Sequence, residues 1–78
     1  MRDLAELPLN QSGRVLCLRA GAGMGRRLMD LGFTPGAQAS CVLAAPGDDM
    51  RAYQVRGAVI ALRRREAREV ILEEDNHE

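Results

Sequence analysis

Seventy-eight residues, 46% apolar and 28% charged, with 11 basic side chains balanced by 11 acidic ones, leave room for a single small core. A folded chain of this length buries roughly 60% of its unfolded surface, which suits one domain and excludes Rossmann, kinase and barrel-enzyme architectures. The neutral balance also argues against the strongly basic signature of a nucleic-acid or membrane-surface binder.

In chain order, Asp3 to Leu7 carries Asp three residues before Glu6, a capping-box pattern on one short helical turn that Pro8 ends. Ser12-Gly13 is a turn signal, and Arg14 to Arg19 is an apolar-rich strand. Gly21-Ala22-Gly23 predicts a loop. Met24 to Leu31 predicts the main helix, because Met24, Leu28 and Leu31 recur at i, i+4 and i+7. Arg26 and Asp30 are spaced to pair across one turn. Gly32 falls at the left-handed C-cap position, and Pro35-Gly36 turns the chain.

From Ala37 the period changes to two, with Ala39, Cys41 and Leu43 expected on one face and Gln38, Ser40 and Val42 on the other. Pro46-Gly47-Asp48-Asp49 is a turn. Arg51 to Arg56 alternates with Tyr53 and Val55 facing one way, Gly57 interrupts, and Ala58 to Leu62 resumes with Ile60 and Leu62 on one face. Arg63 to Ala67 has the composition of a single helical turn, and Val70-Ile71-Leu72 reads as a final strand. Glu73 to Glu78 is acidic, has no apolar anchor and is expected to fray. The expectation is mainly β: a small, partly open barrel of about five strands with one helix inserted after the first, in one domain over 1–78 with its core at about 4–72.

The chemistry-bearing motifs are sparse. The glycine-rich run Gly21-Ala22-Gly23-Met24-Gly25 lacks the third glycine of a dinucleotide fingerprint, and a chain with no Lys has no Walker lysine. Cys17 and Cys41 have no C-x-x-C partner, so neither a zinc ribbon nor a disulfide framework follows. The Met1-Arg2-Asp3 start shows no apolar leader, and no stretch is long enough to insert in a bilayer; an intracellular, cytoplasmic protein with reduced thiols is expected. His77, the single histidine, lies beside Asp75 and Glu78. An imidazole among carboxylates can take a divalent transition metal such as Fe2+ or Zn2+, with a second copy completing the site as a homodimer. No cofactor is required, and no Ser-His or other catalytic constellation is present, so an enzyme is not expected. Arg63-Arg64-Arg65 is followed by Glu66, Glu69, Glu73 and Glu74 and reads as a neutralised, solvated turn, not a nucleic-acid patch.

The ordered stretch Arg26-Arg27-Leu28-Met29-Asp30-Leu31-Gly32-Phe33-Thr34-Pro35-Gly36 resembles the signature of the FeoA family: a helix reading R-x-L-x-x-L-G, a P-G turn, then a strand. Ala45-Pro46-Gly47-Asp48-Asp49 is similar to that family's A-P-x-G-D-P turn, with the glycine one position early and Met50 in place of the second proline; the loop's conformation stays open. Arg56-Gly57, Leu62-Arg63 and Glu66-Ala67 resemble its R-G, L-R and E-A ending. The resemblance covers about residues 4–72. It implies an SH3-like barrel and an accessory or regulatory role in bacterial ferrous iron uptake, beside the cytoplasmic GTPase domain of a FeoB-type transporter. Under that reading the contact residues are those that the core does not need: Arg26, Arg27, Met29 and Phe33 around the helix end. An exposed Met and Phe beside Arg suit an interface centre, and an Arg could reach a phosphate as a finger. The alternatives are a metal-responsive module that dimerises through a bridging cation, and a small-barrel nucleic-acid binder.

Overall fold

The structure is a computed structural model that describes residues 2–19 and 21–74. Among them, strands β1 (Arg2–Asp3), β2 (Ser12–Leu18), β3 (Gln38–Ala44), β4 (Met50–Val55), β5 (Ala58–Arg63) and β6 (Val70–Leu72) form one antiparallel sheet in the order β1-β6-β2-β3-β4-β5. Helix α1 (Ala22–Asp30) follows β2, and a one-turn helix α2 (Arg64–Ala67) joins β5 to β6. Six strands replace the five expected, because two residues at the N-terminal end pair with Ile71 and Leu72. Among the described residues no ladder joins β1 to β5, so the sheet coils without closing.

The coiling comes from a strand shared between two halves. Residues 12–14 of β2 pair with β3, whereas Val15, Cys17 and Leu18 pair with β6. A bulge between Val15 and Cys17 makes the corner, since an extra unpaired residue bends its strand. Gly13 belongs to the strand and not to a turn. A Cβ there would meet Leu72 Cδ1 at 2.8 Å, so glycine permits the close approach that the corner needs. A second bulge lies between Cys41 and Leu43 of β3. It breaks the alternation: Ala39 and Cys41 are buried, but Leu43 is 62% exposed instead of sharing their face.

The core is built mainly from aliphatic side chains, with Tyr53 and Phe33 fully buried among Leu4, Leu28, Leu62 and Val70. Strand β6 is buried at all three positions, as befits the apolar run Val70-Ile71-Leu72 packed between neighbours. The N-terminal segment is pinned over this core. Asp3 Oδ1 accepts the Ala5 amide at 3.0 Å and starts a 3₁₀ turn at Leu4–Glu6. The Tyr53 hydroxyl donates to the Leu4 carbonyl at 3.1 Å, and the Arg51 guanidinium donates to the Leu7 carbonyl. The β4–β5 hairpin turns on Arg56 and Gly57, both at positive φ, the two-residue turn whose twist matches the strands.

Candidate functional site

Helix α1 begins within the glycine run that was expected to be a loop. Gly21 is its N-cap residue, Gly25 N–H bonds to Gly21 O at 2.8 Å, and Gly23 and Gly25 lie inside the helix. Glycine disfavours helix by about 1 kcal/mol per residue. The packing of Leu28 (0% exposed), with Met24 and Leu31 partly buried, holds the helix on the core.

The helix ends in a Schellman motif. Gly32 N–H bonds to Met29 O and Phe33 N–H to Leu28 O, each at 3.0 Å, with Gly32 at φ 115°. In this motif the residue after the glycine folds back against the helix's own third-from-last turn position. That is why Phe33 is 0% exposed in the core beside Leu28, and not on the surface as expected. The i, i+5 apolar pair Leu28 and Phe33 across Gly32 is the signal that would have found this. Phe33 therefore leaves the candidate interface.

The remaining three residues separate by role. Met29 is 47% exposed. Arg26 is exposed, one turn before Met29, and among the described residues neither it nor Asp30 makes an ion pair. Arg27 instead donates to Glu66 Oε2, tying α1 to α2. Glu66 Oε1 accepts the Arg63 backbone N–H at 2.8 Å. These two hydrogen bonds, the backbone one first, hold the Glu66 carboxyl below its usual range. The other signature residues serve the fold: Arg56 donates to Thr34 Oγ1 at 2.8 Å, Gly36 N–H bonds to Val15 O at 2.8 Å, and Leu62 is buried.

The Pro46–Asp48 turn places Asp48 between two guanidiniums: Arg51 Nε at 2.7 Å and Arg64 Nη1 at 2.7 Å. The Arg51 hydrogen bond, aided by both positive charges, holds the Asp48 carboxyl below its usual range. No group of three or more His, Cys, Asp or Glu side chains among the described residues is placed to hold a metal ion. The candidates His77, Asp75 and Glu78 lie outside the described residues. Cys41 is buried and Cys17 exposed, both as free thiols. Glu73, expected to fray, bonds through its N–H to Arg14 O at 2.9 Å and accepts Arg2 Nε at 3.3 Å. No helix among the described residues is long and apolar enough to cross a membrane.

A coiled, unclosed six-stranded sheet with a helix after its corner strand and a one-turn helix before its last strand defines a small SH3-like domain protein. The FeoA domain model matches residues 2–74, and the chain belongs to that family, which is associated with ferrous iron transport. Stenotrophomonas maltophilia FeoA, solved with zinc and described as an SH3 domain protein, is 34% identical over 94% of this chain and 91% of its own, with a TM-score of 0.84. Chlorobium tepidum FeoA is 31% identical over 91% of this chain and 68% of its own, with a TM-score of 0.84. A manganese-dependent transcriptional repressor shares the fold at 17% identity, covering 92% of this chain and 41% of its own, with a TM-score of 0.78. No functionally curated protein matches the chain.

Proposed function

We propose that the protein is a non-catalytic accessory of ferrous iron uptake that docks, through the exposed face of α1, on the cytoplasmic GTPase side of a FeoB-type transporter. The observation that carries this reading is the pair Arg26 and Met29 on one helix face, in a chain of the FeoA family. A flexible thioether and a guanidinium that makes no ion pair among the described residues are side chains that protein interfaces favour. Arg27, held by Glu66, orients α1 and leaves Arg26 as the residue free to reach a partner. The S. maltophilia relative is described as a candidate ferrous iron transport activating factor, which supports the same role.

The test is GTP turnover by the transporter's soluble domain with and without this protein, joined to a capture assay. Turnover changes with the wild type, and Met29→Asp abolishes both the change and the capture. Unaltered capture by Met29→Asp overturns docking through α1, and unaltered turnover with the wild type overturns the regulatory role.

A second reading, a cation-bridged dimer, is favoured by the zinc bound to that relative. The described residues do not supply a ligand set for it. Deleting residues 73–78 and titrating Zn2+ decides: unchanged affinity removes His77, Asp75 and Glu78 as ligands.

A further inference from the structure

The run Arg63-Arg64-Arg65 is neutralised on paper by four nearby glutamates, but the fold sends those carboxylates elsewhere. Glu66 is engaged by Arg27 and by the Arg63 backbone N–H. Glu69 stands 3.8 Å from Arg19. Glu73 and Glu74 follow β6, at the end away from α2, where the Glu73 backbone N–H bonds to the Arg14 carbonyl. Arg64 is paired with Asp48, and Asp48 is already shared with Arg51. The side chains of Arg63, Arg65 and Arg68 are exposed, and among the described residues none of them makes an ion pair, although the Arg65 charge lies near enough to the Glu66 carboxyl to help lower it.

Arg63, Arg64, Arg65 and Arg68, together with Asp49, line an open hollow of about 430 Å³. That volume lies within the range of small-ligand sites, roughly 300–1,000 Å³. We propose that this hollow binds an oligophosphate, a ligand with two or more linked phosphates.

Three considerations single out that chemistry. Guanidinium groups recognise phosphate oxygens in pairs, through two parallel N–H bonds. Three guanidiniums in one hollow that make no ion pair among the described residues match a ligand of several negative charges better than a single small anion. No apolar side chain lines the hollow, so neither an acyl tail nor the apolar anchor of a peptide has a place to seat. The Asp49 carboxylate repels a phosphate, so the phosphate chain sits against Arg63, Arg65 and Arg68. The ligand is thus a free inorganic chain or the phosphate tail of a nucleotide. Arg64 holds the hollow's wall in place through Asp48 and through its N–H to the Asp49 carbonyl at 3.0 Å.

The test is titration of the isotopically labelled protein with tripolyphosphate, a nucleoside triphosphate and the bare nucleoside, followed by amide chemical shifts. The proposal expects saturable shifts at Asp49 and residues 63–68 with both phosphate ligands and none with the nucleoside. Equal affinity for the two identifies the phosphate chain alone as the determinant, and tighter nucleoside triphosphate binding assigns a nucleotide. In the R65Q/R68Q variant, whose changed side chains make no hydrogen bond among the described residues, affinity falls roughly tenfold or more, while R26Q behaves as wild type. The proposal is overturned by any of three results. These are no saturable shift at millimolar ligand, undiminished affinity in R65Q/R68Q, or binding to anionic phospholipid vesicles with none to the soluble ligands.

Discussion

Replacing Tyr53 by Phe removes one hydroxyl from the bond that pins the N-terminal turn to the sheet. The ring is fully buried, and its O–H reaches Leu4 O at 3.1 Å. A net hydrogen bond of this kind is worth about 1 kcal/mol. The Leu4 carbonyl keeps the Leu7 amide at 3.2 Å, so it is not orphaned and the loss stays near that figure. For a domain of this size the melting temperature then falls roughly 4–8 °C.

Alkaline pH gives a sharper test of the same residue. Burial, only partly offset by Arg51, pushes the phenol from 10.0 up to about 12. The unfolded chain therefore loses this proton before the folded one. The stabilisation is fully present below pH 10 and is lost as pH rises through about 12. Two decades at about 1.4 kcal/mol each put the loss on the order of 2–3 kcal/mol. Tyr53 is the single tyrosine and there is no tryptophan, so tyrosinate ultraviolet absorption reads this residue alone. Native Tyr53 should stay protonated until the fold gives way, and Tyr53→Phe should lack the tyrosine-dependent part of the alkaline decline. A native phenol titrating near 10, or equal alkaline profiles for the two proteins, refutes the argument.

At the acid end, Asp48 sits below its ordinary 3.8 because of Arg51 and Arg64, so its stabilisation is present above that value and lost as pH falls through the lower folded-state value. Asp48→Asn should be less stable than wild type at neutral pH and converge with it in acid, as read by denaturant midpoints across pH. Leu28→Ala, at a fully buried position, should cost about 2–5 kcal/mol and lower the melting temperature by at least roughly 10 °C, whereas Met29→Ala one residue on should stay within about 0.5 kcal/mol.

Where local chemistry decides structure, residue types were enough. Gly32 after Leu31, Pro35-Gly36, the hairpin at Gly57 and the apolar triplet Val70–Leu72 each mark their elements, and the family signature runs through them. Where a distant contact decides, they were not. Strand β1 is two residues long and exists because β6 offers an edge. The glycines of α1 resist helix until Leu28 is packed. Leu43 leaves the core face because of a bulge that no periodicity announces. Phe33 looked free until the helix cap turned it inward. The glutamates after Arg65 looked like its counter-charges by adjacency, but electrostatic pairing follows space, and the fold had already committed two of them to Arg27 and Arg19.

The sheet order carries a consequence for biosynthesis. Strand β6, some fifty residues after β2, slides between β1 and β2 and is the sole strand paired with β1 among the described residues. Until Val70–Leu72 has left the ribosome, Arg2–Asp3 has nothing to pair with, and the second half of β2 is an open edge. Assembly cannot wholly follow the order of translation: the first half of β2 can pair with the β3-β4-β5 meander early, but β1 and the second half of β2 are joined only by the last strand. Such non-local closure is slow compared with hairpin formation. A nascent chain stalled before residue 70 would hold an unpaired edge beside the apolar residues meant for the core, the condition that invites misassociation.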